Sequence, residues 1–146
     1  MKKIILFTLL VFGCSLPMLA QSQNDYAAVL QKCIDLKALQ TYYPQQPNGS
    51  PAQLYVMQHG ISFPETTNIL KGGKKVAFVS KADIKENKIN AYFLFWTFNL
   101  TANKATVAYS YYYNKQTAPE GAMVVNLELE KTGNTWEIKK STAEKR

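Results

Sequence analysis

One histidine, His59, and two cysteines, Cys14 and Cys33, are all the imidazole and thiol that 146 residues provide. That scarcity removes whole reaction classes. A Ser-His-Asp or Cys-His arrangement would have to rest on His59 alone, and a multi-histidine metal site cannot form within one chain. No H-E-x-x-H, paired-cysteine zinc spacing, G-x-S-x-G or phosphate-cradling glycine loop occurs. His59 precedes Gly60 in a loop-like stretch and reads as an exposed or hydrogen-bonded side chain. No catalytic residue, metal or cofactor is assigned. Acidic groups are also few, 10 against 17 Lys and Arg, for a formal net charge of +7. The basic residues are scattered, with Lys71/Lys74/Lys75 and Lys139/Lys140/Lys145/Arg146 as the densest groups. A nucleic-acid footprint would gather them on one face, so they read as a solvated surface.

Long hydrophobic runs are missing too. No window approaches the ~20 apolar residues of a transmembrane helix. The one apolar run, Ile4 to Phe12, follows Lys2 and Lys3 and precedes "MLAQ", the layout of a secretory signal peptide. Residues 1–20 are therefore expected to be a signal peptide cleaved after Ala20, and residues 21–146 a single secreted or periplasmic domain. The alternative is a lipoprotein anchored through Cys14 in "VFGC", against which bulky Phe12 counts. If Cys14 leaves with the signal, Cys33 is the only thiol and no internal disulfide can form. Its helical spacing from Tyr26, Val29, Leu30 and Leu36 makes it a small buried hydrophobe rather than a nucleophile.

What the chain does have is apolar patterning, with 47% hydrophobic and 18% charged residues, a globular composition. An amphipathic helix is predicted from Asp25 to Gln40, capped by Ser22, Asn24 or Asp25. Prolines break regular structure from Tyr42 to Pro51. Ala52 to Gly60 reads as a short strand, Asn68 to Ser80 as two strands joined at Gly72-Gly73, and "KADIKENKI" as a helical turn or loop. The C-terminal half predicts an antiparallel meander. With Thr101 to Lys104 as a hairpin loop, Phe98/Val107, Trp96/Tyr109, Leu94/Tyr111 and Tyr92/Tyr113 pair on one buried face. Thr97/Ala108, Phe95/Ser110 and Phe93/Tyr112 pair on the other. Met123, Val125, Leu127 and Leu129 alternate with outward residues, and a turn at Gly133-Asn134 brings Trp136 and Ile138 onto the Leu127 face. A one-sided sheet needs a cover, so the fold class is α+β: an N-terminal amphipathic helix packed on a curved antiparallel meander.

A leading helix followed by a meander that closes on "VNLELEKTGNTWEIKKS" resembles secreted bacterial members of the nuclear transport factor 2-like (cystatin-like) superfamily. Their last strands often show alternating apolar residues, a Gly/Asn turn and Trp-x-Ile. The resemblance implies a pocket. Some enzymes of that superfamily, of the ketosteroid-isomerase and dehydratase type, use a carboxylate general base there, a role open only to Asp35 or Asp83 in this chain. Asp35 falls on the polar helix arc, and Glu128, Glu130 and Glu137 on the wet sheet face. The favoured expectation is a non-catalytic binding domain of the cell envelope. Tyrosine is a costly core residue unless its hydroxyl finds a partner. Tyr92, Trp96, Tyr109, Tyr111 and Tyr113 are thus the candidate ligand-binding residues, for a small apolar or aromatic ligand. A protein partner would instead use an exposed patch of Phe93, Phe95 and Tyr112, and the sheet is a candidate homodimer surface.

Overall fold

The computed structural model describes residues 16–116 and 119–146. The run from Ile4 to Phe12 and Cys14, on which the export signal and the lipid anchor rest, lie outside them. Among the described residues no helix is long and apolar enough to cross a membrane.

The leading helix, α1 (Leu16–Ile34), starts and stops earlier than its pattern predicts. Asp25 therefore lies inside it rather than capping it. Leu36 turns to φ −56, ψ 122 and the chain continues as a 3-10 helix, Lys37–Tyr42. Val29, Leu30, Cys33 and Ile34 are fully buried while Lys32 is exposed. Two long-range bonds fix the helix. Asp25 accepts from Trp136 Nε1 at 2.9 Å and pairs with Lys131 at 2.7 Å, both ends of that ion pair being largely buried.

The middle segment forms β1 (Tyr55–Met57), a small hairpin of β2 (Leu70–Lys71) and β3 (Lys74–Lys75), then β4 (Ala77–Val79) and α2 (Lys81–Glu86). Gly72 and Gly73 have φ +57 and +76, the left-handed values a two-residue hairpin requires. A Cβ on Gly72 would also meet the Pro51 ring, at 2.5 Å from Cγ. α2 begins in a capping box, with Ser80 accepting from the Asp83 amide and Asp83 accepting from the Ser80 amide.

Four long strands complete the fold: β5 (Tyr92–Leu100), β6 (Lys104–Tyr113), β7 (Gly121–Thr132) and β8 (Thr135–Lys145). They pair antiparallel in sequence order. The larger sheet has six strands in the order β4-β1-β5-β6-β7-β8, with β1 parallel to both β4 and β5. The chain is α+β, but its sheet is mixed, because β1 inserts between β5 and β4. Short apolar strands carry no signal that specifies a partner, so only β5–β8 were readable as a meander.

The predicted β5/β6 pairing is correct at one end and wrong at the other. Phe98 pairs with Val107 and Thr97 with Ala108, after which a β-bulge shifts the register between Phe95 and Thr97. Beyond it Phe95 pairs with Tyr109, Leu94 with Ser110, Phe93 with Tyr111 and Tyr92 with Tyr112. One extra residue in a strand reverses the facing of everything beyond it. Phe93 and Phe95, expected outside, are buried, and Trp96, expected inside, is 55% exposed. The β7/β8 expectation holds: Met123, Val125, Leu127, Leu129 and Trp136 are buried, and Ile138, opposite Leu129, is half-buried.

Candidate functional site

The five candidate residues separate into three environments. Tyr109 and Tyr111 are fully buried and their hydroxyls serve the backbone. Tyr109 Oη donates to the Cys33 carbonyl at 2.8 Å and Tyr111 Oη to the Tyr42 carbonyl at 3.3 Å. Tyr43 Oη donates to the Ile34 carbonyl at 2.5 Å, and Gln40 reaches the Ile34 and Leu36 carbonyls. The last carbonyls of a helix have no partner within it, and here phenols buried in the core supply the missing donors. That is a structural task. It also answers why a core would hold tyrosine where phenylalanine would pack as well. Burial pushes the Tyr109, Tyr111 and Tyr43 phenols well above their ordinary range, so none is a proton donor or acceptor near neutral pH. Burial raises the Cys33 thiol in the same way, leaving no thiolate for nucleophilic chemistry.

Trp96 stands on the opposite face. Its indole Nε1 donates to Ser110 Oγ at 3.1 Å, and Ser110 is itself only 4% exposed. The ring is therefore held in place while much of it meets solvent. Across the strands on this face lie Leu94, Ser110 and Val124 in one row and Tyr92, Tyr112 and Ala122 in the next. The Tyr92 and Tyr112 rings are 5.2 Å apart. Above them runs an open groove of about 450 Å³, lined by Trp96, Ser110, Tyr112, Val124, Lys115 and Arg146 among others. Lys115 Nζ sits 5.3 Å from the centre of the Tyr112 ring and pairs with Glu120 at 3.0 Å. The far half of the same face is polar, with Glu128/Lys140 and Glu130/Lys104 ion pairs. The groove is thus the apolar end of an otherwise charged surface, with Lys115, Arg146 and Glu120 on its rim.

Tyr113 belongs to neither group. It is 8% exposed, its ring is 4.8 Å from that of Tyr42, and it lines a second recess at the end of the sheet.

Of the residues considered for acid–base work, Asp35 is bound to Lys71 at 2.7 Å on the surface and accepts from Gln31. Asp83 is exposed in the α2 cap, and the Ser80 hydroxyl and amide hold its carboxyl below the usual range. His59 is exposed in a loop bridge with Ile61. None lines the outer groove. Among the described residues no three His, Cys, Asp or Glu side chains gather as metal ligands.

The sequence pattern did not single out Ser110 or Lys115, and it placed Arg146 in a basic group read as solvated surface. The serine interrupting "YSYYY" was the available signal, since a hydroxyl between aromatics on a strand is well placed to hold an indole N–H. No protein-family model, no curated protein and no solved structure matches this chain.

Proposed function

We propose that this chain is an exported, non-catalytic binding domain whose ligand site is the groove around Trp96, and that the groove takes a small molecule combining a flat ring with an anionic group. The observation that carries this reading is Trp96 itself. A large apolar ring left 55% exposed, yet anchored through its only polar atom, offers a rigid stacking surface at little further ordering cost on binding. Tyr112 and Val124 extend the apolar floor, and Arg146 together with Lys115, which also holds Glu120 of the same rim, leaves a net positive charge for an anion. The volume, about 450 Å³, lies within the ~300–1,000 Å³ typical of small-molecule sites. With this reading go an amphipathic α1 laid on a curved sheet, the resemblance to the nuclear transport factor 2-like superfamily, and a secreted or periplasmic location. The amphipathic reading of α1 is supported by the one-sided burial of Val29, Leu30, Cys33 and Ile34.

The test is a fluorescence titration with naphthalene-2-carboxylate. Of the two tryptophans only Trp96 is exposed, so its red-shifted emission should quench saturably, and added salt should weaken the effect. Trp96→Ala and Lys115→Met should each weaken binding about tenfold or more, as loss of a stacking or charge-assisted contact does. Unchanged emission, or full affinity in Trp96→Ala, refutes the reading. A mass that doubles on concentration and reverts in Trp96→Arg would instead make this face a homodimer surface.

A further inference from the structure

Arg146 reaches the Trp96 groove from just beyond the end of β8. Its backbone exchanges two hydrogen bonds with Ala122, at 2.8 and 3.1 Å, and Ala122 pairs with Tyr112. Residues directly opposite one another across strands share a face, so Tyr112, Ala122 and Arg146 form one row on the Trp96 side. With strands about 4.8 Å apart, the two ends of that row start about 10 Å from each other, and only the Ala122 methyl stands between them. Glu120 lies two residues before Ala122 and lines the same groove. That position makes it the diagonal neighbour of Arg146, a relation with a usual separation of about 7–8 Å. Its ion pair goes to Lys115, 3.0 Å away, rather than to Arg146.

The rim therefore sets a cation and an anion on either side of one gap, beside a rigid indole. A carboxylate offers about four acceptor sites, and the Glu120 side chain is 64% exposed, so one lysine ammonium does not use it up. Arg146 is exposed as well, and its planar fork of donors fits a carboxylate. A plain aromatic acid matches only half of this, because a carboxylate bound to Arg146 lies next to Glu120, which repels it. We propose that the groove selects an aromatic α-amino acid, an inference that rests on the Trp96 groove being a ligand site. The ring stacks on Trp96, the α-carboxylate bonds Arg146 and the α-ammonium bonds Glu120. Both charged groups of an α-amino acid hang from one carbon, so they engage two protein groups together only where a cation and an anion flank a single point, as Arg146 and Glu120 do. Glu120, held by Lys115, is then the residue that distinguishes this zwitterion from a simple anion.

The experiment is an NMR titration read at the Trp96 indole N–H, with L-phenylalanine, 3-phenylpropionate, which lacks the ammonium, and phenethylamine, which lacks the carboxylate. Phenylalanine should bind about tenfold tighter than either analogue, the gain expected of one further charge-assisted hydrogen bond. Glu120→Gln should weaken phenylalanine by about tenfold and strengthen 3-phenylpropionate, and so abolish the preference between them. Arg146→Met should weaken both. Glu144→Gln makes the same change in net charge on the same sheet face, opposite Val124, and should keep the preference for phenylalanine. Both glutamates are exposed, so far-UV circular dichroism and the melting temperature should stay those of the parent. The inference is overturned if 3-phenylpropionate binds the parent as tightly as phenylalanine does, if Glu120→Gln leaves the preference intact, or if Glu144→Gln removes it equally, since the effect would then be the general field of the face. In each of those cases binding of naphthalene-2-carboxylate keeps the groove itself as a ligand site. If neither naphthalene-2-carboxylate nor any of the three phenyl compounds binds, the groove assignment falls and the amino-acid inference falls with it.

Discussion

Removing either tryptophan separates the observed register from the one that strict alternation predicts. Trp136 is 1% exposed, and its Nε1 donates to Asp25, which also holds Lys131. An aromatic ring of this size buries roughly 150–250 Å², worth about 4–6 kcal/mol at ~25 cal/mol per Å². The alanine keeps a small part of that area, so Trp136→Ala should cost about 4 kcal/mol, within the ~3–5 kcal/mol known for aromatic truncation in cores. Trp96 is different. More than half of it is already wet, so the same area argument leaves roughly 2 kcal/mol; each tryptophan also loses one hydrogen bond worth about 1 kcal/mol or more, to Ser110 or to Asp25, so the gap between the two stays near ~2 kcal/mol. Urea denaturation followed by far-UV circular dichroism measures both, since loss of an indole does not silence that signal. Trp136→Ala should shift the midpoint strongly and Trp96→Ala little, with equal slopes. If the two substitutions cost the same to within about 1 kcal/mol, the bulge at Trp96 is wrong and the residue belongs in the core.

Three further outcomes are expected. Stability should fall at alkaline pH. Cys33, Tyr43, Tyr109 and Tyr111 are all raised by burial. Above about pH 10, where a free phenol ionises, the unfolded chain gives up protons the folded one retains, and together they reduce stability by about 5 kcal/mol per pH unit. Tyrosinate absorbance should therefore appear in step with loss of circular dichroism, and phenols that titrate while the fold persists would contradict their burial. Cys33 should resist a thiol reagent such as dithionitrobenzoate in the native protein and react once denaturant unfolds it; fast native labelling would place it outside the core. Gly72→Ala should destabilise by more than about 1 kcal/mol through its left-handed φ and the Pro51 ring. At Gly133, with a similar φ but open space, the same change should cost less, and thermal denaturation of the two variants compares them.

Much of the fold follows from the sequence alone. The α+β class, the four-strand meander, the Gly72-Gly73 hairpin and the burial of Trp136 and Cys33 rest on local periodicity and turn chemistry, which depend only on neighbours along the chain. Three features needed the tertiary structure. β1 joins the sheet in parallel because its partners are chosen by packing among distant segments. The bulge at Trp96 inserts one residue with no distinctive composition, and a period of two carries no memory across such an insertion. It moved Phe93 and Phe95 into the core, turned Trp96 outward, and so relocated the candidate site to the other face. The tyrosines, finally, were legible as costly core residues but not as donors to the ends of α1 and of the 3-10 helix that follows it. A phenol reveals its partner only when a helix terminus some 70 residues away in the chain is folded against it, and hydrogen-bond satisfaction is a property of the assembled core rather than of any segment.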